Sequence, residues 1–195
     1  MGQGRPAVTS KGELELLALE LFAEHGFERT TVEDLAEAAG IGRRTFFRYF
    51  PSKNDVVYGD FDAALSELRA RLRATPPDVP LLEGLREAVL AFNELPPEAE
   101  PQHRVRMALV LHTPALQAHS TLRYAGWRGV VAEHAAQRLG LRPQDFLPQL
   151  LAHQALASAV AAYEQWLAHS DSDLATLLDQ AFRSLAVAGD DAPVR

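Results

Sequence analysis

The sequence contains no cysteine, which excludes a disulfide framework and any thiolate metal site. It has no apolar run approaching the roughly 20 residues that a membrane-spanning helix requires. The opening Met-Gly-Gln-Gly-Arg-Pro lacks the apolar stretch of a secretion signal. These absences give the expectation of a cytoplasmic protein with no membrane partner. No His-Glu-x-x-His pair, glycine-rich phosphate loop or nucleophile elbow occurs. The expectation is therefore not an enzyme, with no cofactor, no catalytic residues and no metal site. The competing enzyme reading would need folding to bring a histidine pair and an acid together. Positive charge is also short: 19 Lys+Arg stand against 26 Asp+Glu, a net of −7. Residues 1–58 carry seven basic and nine acidic side chains, and residues 59–195 carry twelve and seventeen. Neither part is basic, which argues against a non-specific polyanion binder.

Against that background one segment stands out. Ile41-Gly-Arg-Arg-Thr-Phe-Phe-Arg-Tyr-Phe-Pro-Ser-Lys53 holds Arg43, Arg44, Arg48 and Lys53, four aromatic rings and no acid. Strand patterns are nearly absent and helical ones dominate. Leu14, Leu17, Ala18, Leu21 and Phe22 recur at the i, i+3, i+4 spacing of one helical stripe. Gly26 ends that helix, as a left-handed cap would. Thr31-Val-Glu-Asp34 has the form of a capping box, opening a second short helix that ends at Gly40. A third runs from Arg43 to Phe50 and stops at Pro51. Ser52-Lys-Asn-Asp55 is a second capping box, opening one long helix to about Arg73. After the proline-rich stretch at 75–80, helices are expected at 81–94, 102–112, 116–139, from about 144 to His169, and from 174 onward. The sum is an all-α chain of about nine helices. The domains are 1–53, 54–189, and a tail at 190–195.

Two short helices joined by a glycine-containing turn are the sequence form of a helix-turn-helix. The third helix would enter a DNA major groove. On its wheel Phe46 and Phe50 share a face suited to packing, Arg44 and Arg48 share another, and Phe47 lies between. Arg43 and Arg44 stand at the end that enters the groove first, where an arginine fork can bond guanine. Phe47 would touch a thymine methyl or a sugar edge. Thr31, Thr45, Tyr49 and Lys53 would meet phosphates, which position the protein without reading sequence. The plainer alternative is a solvated charged helix.

The run from Ala18 through Lys53 resembles the DNA-binding domain of TetR-type repressors. Where that family more often has a tyrosine that bonds a phosphate, this chain has Phe47, which lacks the hydroxyl. Further on, Phe92-Asn, His103-Arg-Val-Arg-Met, Pro114-Ala-Leu-Gln-Ala-His-Ser-Thr-Leu-Arg-Tyr-Ala-Gly-Trp-Arg and Tyr163-Glu-Gln-Trp-Leu are similar to the regulators that accompany mycofactocin gene clusters. The resemblance implies a homodimeric, ligand-released repressor of a double-stranded DNA operator. It implies an acyl-coenzyme A thioester as the small-molecule effector.

In the second region, Phe92, Met107, Leu111, His112, Leu116, His119, Tyr124, Trp127, Tyr163 and Trp166 are the large or polar side chains among apolar ones. They are the candidate effector-binding residues, with Arg106, Arg123 and Arg128 as partners for a charged ligand. Aromatics at helical spacing serve equally well as core. Leu150, Leu151, Ala155, Ser158 and Ala162 form a stripe of small and branched residues suited to a dimer interface. Two other readings remain: a helical ligand-binding bundle without DNA binding, and an activator.

Overall fold

The computed structural model describes residues 10–190, with side chains through Leu185. All regular structure among them is helical, in agreement with the expected class. There are ten α-helices and one 3-10 turn at Pro97–Ala99. They are α1 (Lys11–His25), α2 (Val32–Ala38), α3 (Arg43–Tyr49), α4 (Lys53–Tyr58), α5 (Phe61–Ala74), α6 (Leu81–Phe92), α7 (Glu100–His112), α8 (Pro114–Leu139), α9 (Phe146–Ala168) and α10 (Leu174–Asp190). The expected tail at 190–195 lies, apart from Asp190, outside the described residues.

The tenth helix comes from a break that the sequence reading missed. One helix was expected from Ser52 to Arg73, but α4 ends at Gly59, which has φ 58° and ψ −133°. Only glycine holds that backbone without strain. A Cβ there would also lie 2.8 Å from an Oε of Glu15. The left-handed cap expected at Gly26 is corrected too: φ is 84° but ψ is 143°, outside the left-handed helical region.

Two compact units are distinguished by their internal contacts among the described residues, 10–60 with 97–119, and 61–96 with 120–190. The domains expected from sequence are 1–53 and 54–189, with a tail at 190–195. In the first unit, α1 packs on α2, α4 and α7. Leu14, Ala18, Phe22, Leu35, Phe46 and Phe50 form its centre, each almost fully buried. In the second, α9 packs along α10, and α6 contacts both α5 and α10. Trp166, Leu178, Phe182, Leu85 and Val89 fill that core. Arg86 ties α6 to α10 through Asp179 and also binds Glu83 in its own helix. None of the described helices is long and apolar enough to cross a membrane.

Candidate nucleic-acid interface

The helix-turn-helix is built from local hydrogen bonds that its sequence prescribes. The Thr31 hydroxyl accepts from the Asp34 N–H at 3.1 Å, and Asp34 accepts from the Thr31 N–H at 2.8 Å. This is the expected capping box. The Thr31 N–H and hydroxyl hold the Asp34 carboxyl below its usual range, the N–H contributing most. At the other end of α2, Gly40 N–H bonds the Glu37 carbonyl and Ile41 N–H the Ala36 carbonyl, both at 3.0 Å. Those paired bonds are a Schellman turn. It turns the chain into α3, whose first turn is closed by Phe46 N–H on the Gly42 carbonyl at 3.1 Å.

Burial sorts the side chains of α3. Phe46 and Phe50 are buried, with ring centroids 6.1 Å apart. They anchor the helix as the wheel predicts. Phe47 is 41% exposed and meets Phe46 edge-on at 5.5 Å. Arg43, Arg44 and Arg48 are exposed, while Thr45 and Tyr49 are half-buried. Arg43 bridges to Glu33 at 2.7 Å and lies over the Phe47 ring. Arg48 lies over the Tyr49 ring at 5.3 Å. Arg44 has no partner among the described residues. Arg44 and Arg48 therefore present guanidinium groups that no carboxylate among the described residues neutralises.

Lys53 is placed differently from a free phosphate ligand. Its ammonium donates to the Phe27 carbonyl at 2.8 Å and the Thr30 carbonyl at 3.0 Å. It also sits 4.2 Å from the Phe27 ring centroid. Two of its three donors thus pin the loop between α1 and α2 from the start of α4. Desolvation by burial lowers its pKa, opposed by Glu28. The signal for this role lay in the chain, since the α1–α2 loop supplies carbonyls that no helix satisfies. The pairing spans 26 residues and is invisible to local pattern.

Other contacts were not read from sequence. Ser10 and Glu13 form a capping box at the start of α1, and the Ser-x-x-Glu signature for it was present. The Ser52–Asp55 pair, by contrast, was expected: at the start of α4 Ser52 accepts from Asp55 N–H at 3.4 Å, and its hydroxyl donates to the Asp55 carboxylate at 2.6 Å. Within the same unit, Arg106 of α7 pairs with Glu15 of α1 and donates to the Val57 carbonyl at 2.7 Å. A candidate ligand-binding arginine is thereby committed to the fold.

The ten candidate effector residues divide between the two units. Met107, Leu111, His112, Leu116 and His119 belong to the first. There Leu111 and Leu116 are buried, His112 is exposed, and His119 lies 3.3 Å from Asp55 and stacks near Tyr58. Phe92, Tyr124, Trp127, Tyr163 and Trp166 belong to the second. Trp127, Tyr163 and Trp166 are buried, whereas Phe92 and Tyr124 are half-buried. The Tyr163 hydroxyl donates to the Asn93 side-chain oxygen at 2.6 Å, and its ring meets Trp166 edge-on. Arg123 pairs with Asp62 at 3.5 Å. Among the described residues no cluster of three or more metal-ligating side chains occurs.

Comparison with known proteins matches this architecture in both regions. Residues 17–57 match the family described as bacterial regulatory proteins, tetR family, and residues 79–189 match the MftR C-terminal domain. A Mycobacterium tuberculosis protein named MftR, a regulator of mycofactocin biosynthesis, is 44% identical over 92% of this chain and 90% of its own. The transcriptional regulator TcmR of Streptomyces glaucescens is 35% identical over 82% of this chain and 74% of its own. Two solved structures share the fold. The fatty acid degradation regulator FadR from Bacillus halodurans has TM-score 0.66 at 18% identity, covering 94% of this chain and 96% of its own. The Thermus thermophilus FadR repressor, solved with lauroyl-CoA, has TM-score 0.57 at 24% identity, covering 95% and 99%. With a tetR-type helix-turn-helix at residues 17–57 and an MftR-type domain at 79–189, the chain belongs to the TetR family of bacterial transcriptional regulators, which are not enzymes.

Proposed function

We propose that the protein is a repressor that binds a near-palindromic operator as a homodimer and leaves it on binding an acyl-coenzyme A thioester. The observation that carries the DNA part is the pair Arg44 and Arg48, exposed on α3 with no carboxylate partner among the described residues. Arg44 reads a base edge. Arg43 joins it by exchanging Glu33 for DNA. Phe47 offers its exposed ring to a thymine methyl. Thr31, Thr45 and Tyr49 flank that face and take phosphates, and Lys53, pinned to the Phe27 and Thr30 carbonyls, holds the loop beside them. In this reading residues 1–53 bind DNA and residues 54–189 bind effector and partner.

The dimer reading draws on α9. Its outer face carries Phe146, 80% exposed, with Leu147 and Leu150 at 43% and 36%. Ala157 and Ala161 continue the same exposed face. The stripe expected from sequence is modified, because Ala155 and Ala162 are buried within their own unit. The effector reading draws on the resemblance and on the lauroyl-CoA bound to the Thermus thermophilus protein. Phe92 and Tyr124, half-buried, are the members of the second-unit aromatic set that a ligand reaches without displacing core.

The test is titration onto DNA from upstream of the protein's own gene, at two salt concentrations, with and without lauroyl-CoA. The expected result is specific, salt-sensitive binding that the thioester releases. Specific binding without release would discard the ligand, and absence of specific binding would discard the repressor.

A further inference from the structure

We propose that the groove between α5 and α8, in the second unit, is a separate binding site for a small amphipathic monocarboxylate. The groove has a volume of about 350 Å³. That is within the roughly 300–1,000 Å³ of small-molecule sites. One wall is Arg69, Leu72 and Arg73 of α5, and the other is the stripe Val130, Glu133, His134 and Gln137 of α8. Leu141 and Pro143, just past the end of α8, close one side.

His134 is the feature that ordinary packing leaves unexplained. Its residue is 5% exposed, and its Nε2 is the one buried side-chain polar atom without a hydrogen bond among the described residues. Buried polar atoms are nearly always paired, and an unpaired one is costly. Burial and then the charge of Arg138 push its pKa down, which favours the neutral imidazole, a form with one N–H to donate. Arg138 cannot serve a ligand, because its guanidinium is spent on the Pro76, Pro77 and Val79 carbonyls.

The charges select the ligand. Arg69 is neutralised by Glu133 at 2.9 Å across the groove. Arg73 has no partner among the described residues. One uncompensated cation and one neutral imidazole suit a carboxylate, which accepts from an arginine fork and from a second donor at once. The nearby Glu133 disfavours a phosphate dianion. Leu72, Val130, Leu141 and Pro143 supply the surface for an apolar tail of modest length. None of the ten effector candidates lines this groove, so the inference stands apart from the effector reading.

The experiment uses octanoate as the probe, with octanamide as its uncharged counterpart and Arg73→Gln as the variant. Arg73 is exposed, so this change spares the fold, and unaltered operator binding by the variant confirms that. Affinity is measured by calorimetry, and the His134 ring nitrogens are followed by NMR in labelled protein. The site predicts that octanoate binds and shifts the His134 signals, that Arg73→Gln weakens it about tenfold or more, and that octanamide binds far more weakly. Octanoate affinity unchanged in the variant, His134 signals that do not move, octanamide binding as tightly as octanoate, or no binding in the millimolar range would each overturn it.

Discussion

Replacing Lys53 with methionine separates two roles that sequence alone merges. The side chain keeps its length and loses its charge. In the structure the ammonium makes two hydrogen bonds to carbonyls and lies over the Phe27 ring. A hydrogen bond to a charged group contributes about 1.5–3 kcal/mol net, and a cation over a ring about 0.5–1 kcal/mol at a partly exposed site. Two such bonds and the ring contact sum to about 3.5–7 kcal/mol. Lys53 is half-buried, so the lower end applies, about 3.5 kcal/mol. For a chain of this size that corresponds to a fall in Tm of about 7–14 °C. The assays are urea denaturation and operator titration across salt concentrations. The clamp role predicts a lower urea midpoint with unchanged m-value, and a salt slope almost unaltered. If the midpoint does not move, and the salt slope instead shrinks by about 0.9 per protomer, the ammonium belongs to a phosphate and the clamp reasoning is refuted.

Arg44→Ala should cost about 1–3 kcal/mol of discrimination at one base position of the operator and leave stability unchanged, which competition with single-base operator variants would measure. Gly59→Ala should destabilise by about 1–3 kcal/mol through its positive φ alone. The added methyl also presses on Glu15 and so on its pairing with Arg106; a urea midpoint equal to wild type would show that the break between α4 and α5 is not fixed by this glycine. His103 gives a pH prediction. Burial, and secondly the charge of Arg106, lower its pKa from 6.5 to about 4. The unfolded chain then binds more protons between those values, so stability is complete above about pH 6.5 and falls as pH drops toward 4. The loss from pH 7 to pH 5 is about 2 kcal/mol, and His103→Leu should flatten it. A wild-type profile that is flat over this range would contradict the burial.

Legibility followed range in sequence. The capping box at Thr31 and Asp34, the turn at Gly40, and the buried pair Phe46 and Phe50 depend on neighbours within a turn or two, and each appears where the spacing places it. The exposed face of α3 was legible for the same reason, because helical geometry fixes which side chains diverge from the anchored rings. The break at Gly59 was missed because a glycine inside a helical pattern is often tolerated, and the reason for this one is Glu15, far away in the chain. Arg106, assigned to a ligand for its charge, is instead held by Glu15 and the Val57 carbonyl. A charged side chain on a helix reveals nothing of its partner until the helices are packed. Trp127, Tyr163 and Trp166 show the same limit: apolar size predicts burial, but not whether a ligand or a neighbouring helix covers it.

An acidic protein that binds DNA must overcome its own net charge, and the structure narrows what is available for that. Of the four cations in the opening segment, Lys53 is committed to backbone carbonyls and Arg43 is shared with Glu33, leaving Arg44 and Arg48 with no carboxylate partner among the described residues. If Arg43 exchanges its carboxylate for DNA, each protomer sets about three cations against the charge of the duplex. At about 0.9 per neutralised phosphate, a single helix-turn-helix would show a salt slope near −3, and the proposed dimer about −5. A slope near −3 with a single half-site sufficient for full affinity would remove the reason to invoke two heads. The steeper slope, together with loss of affinity when one half-site is scrambled, would mean that this small patch works because it is used twice.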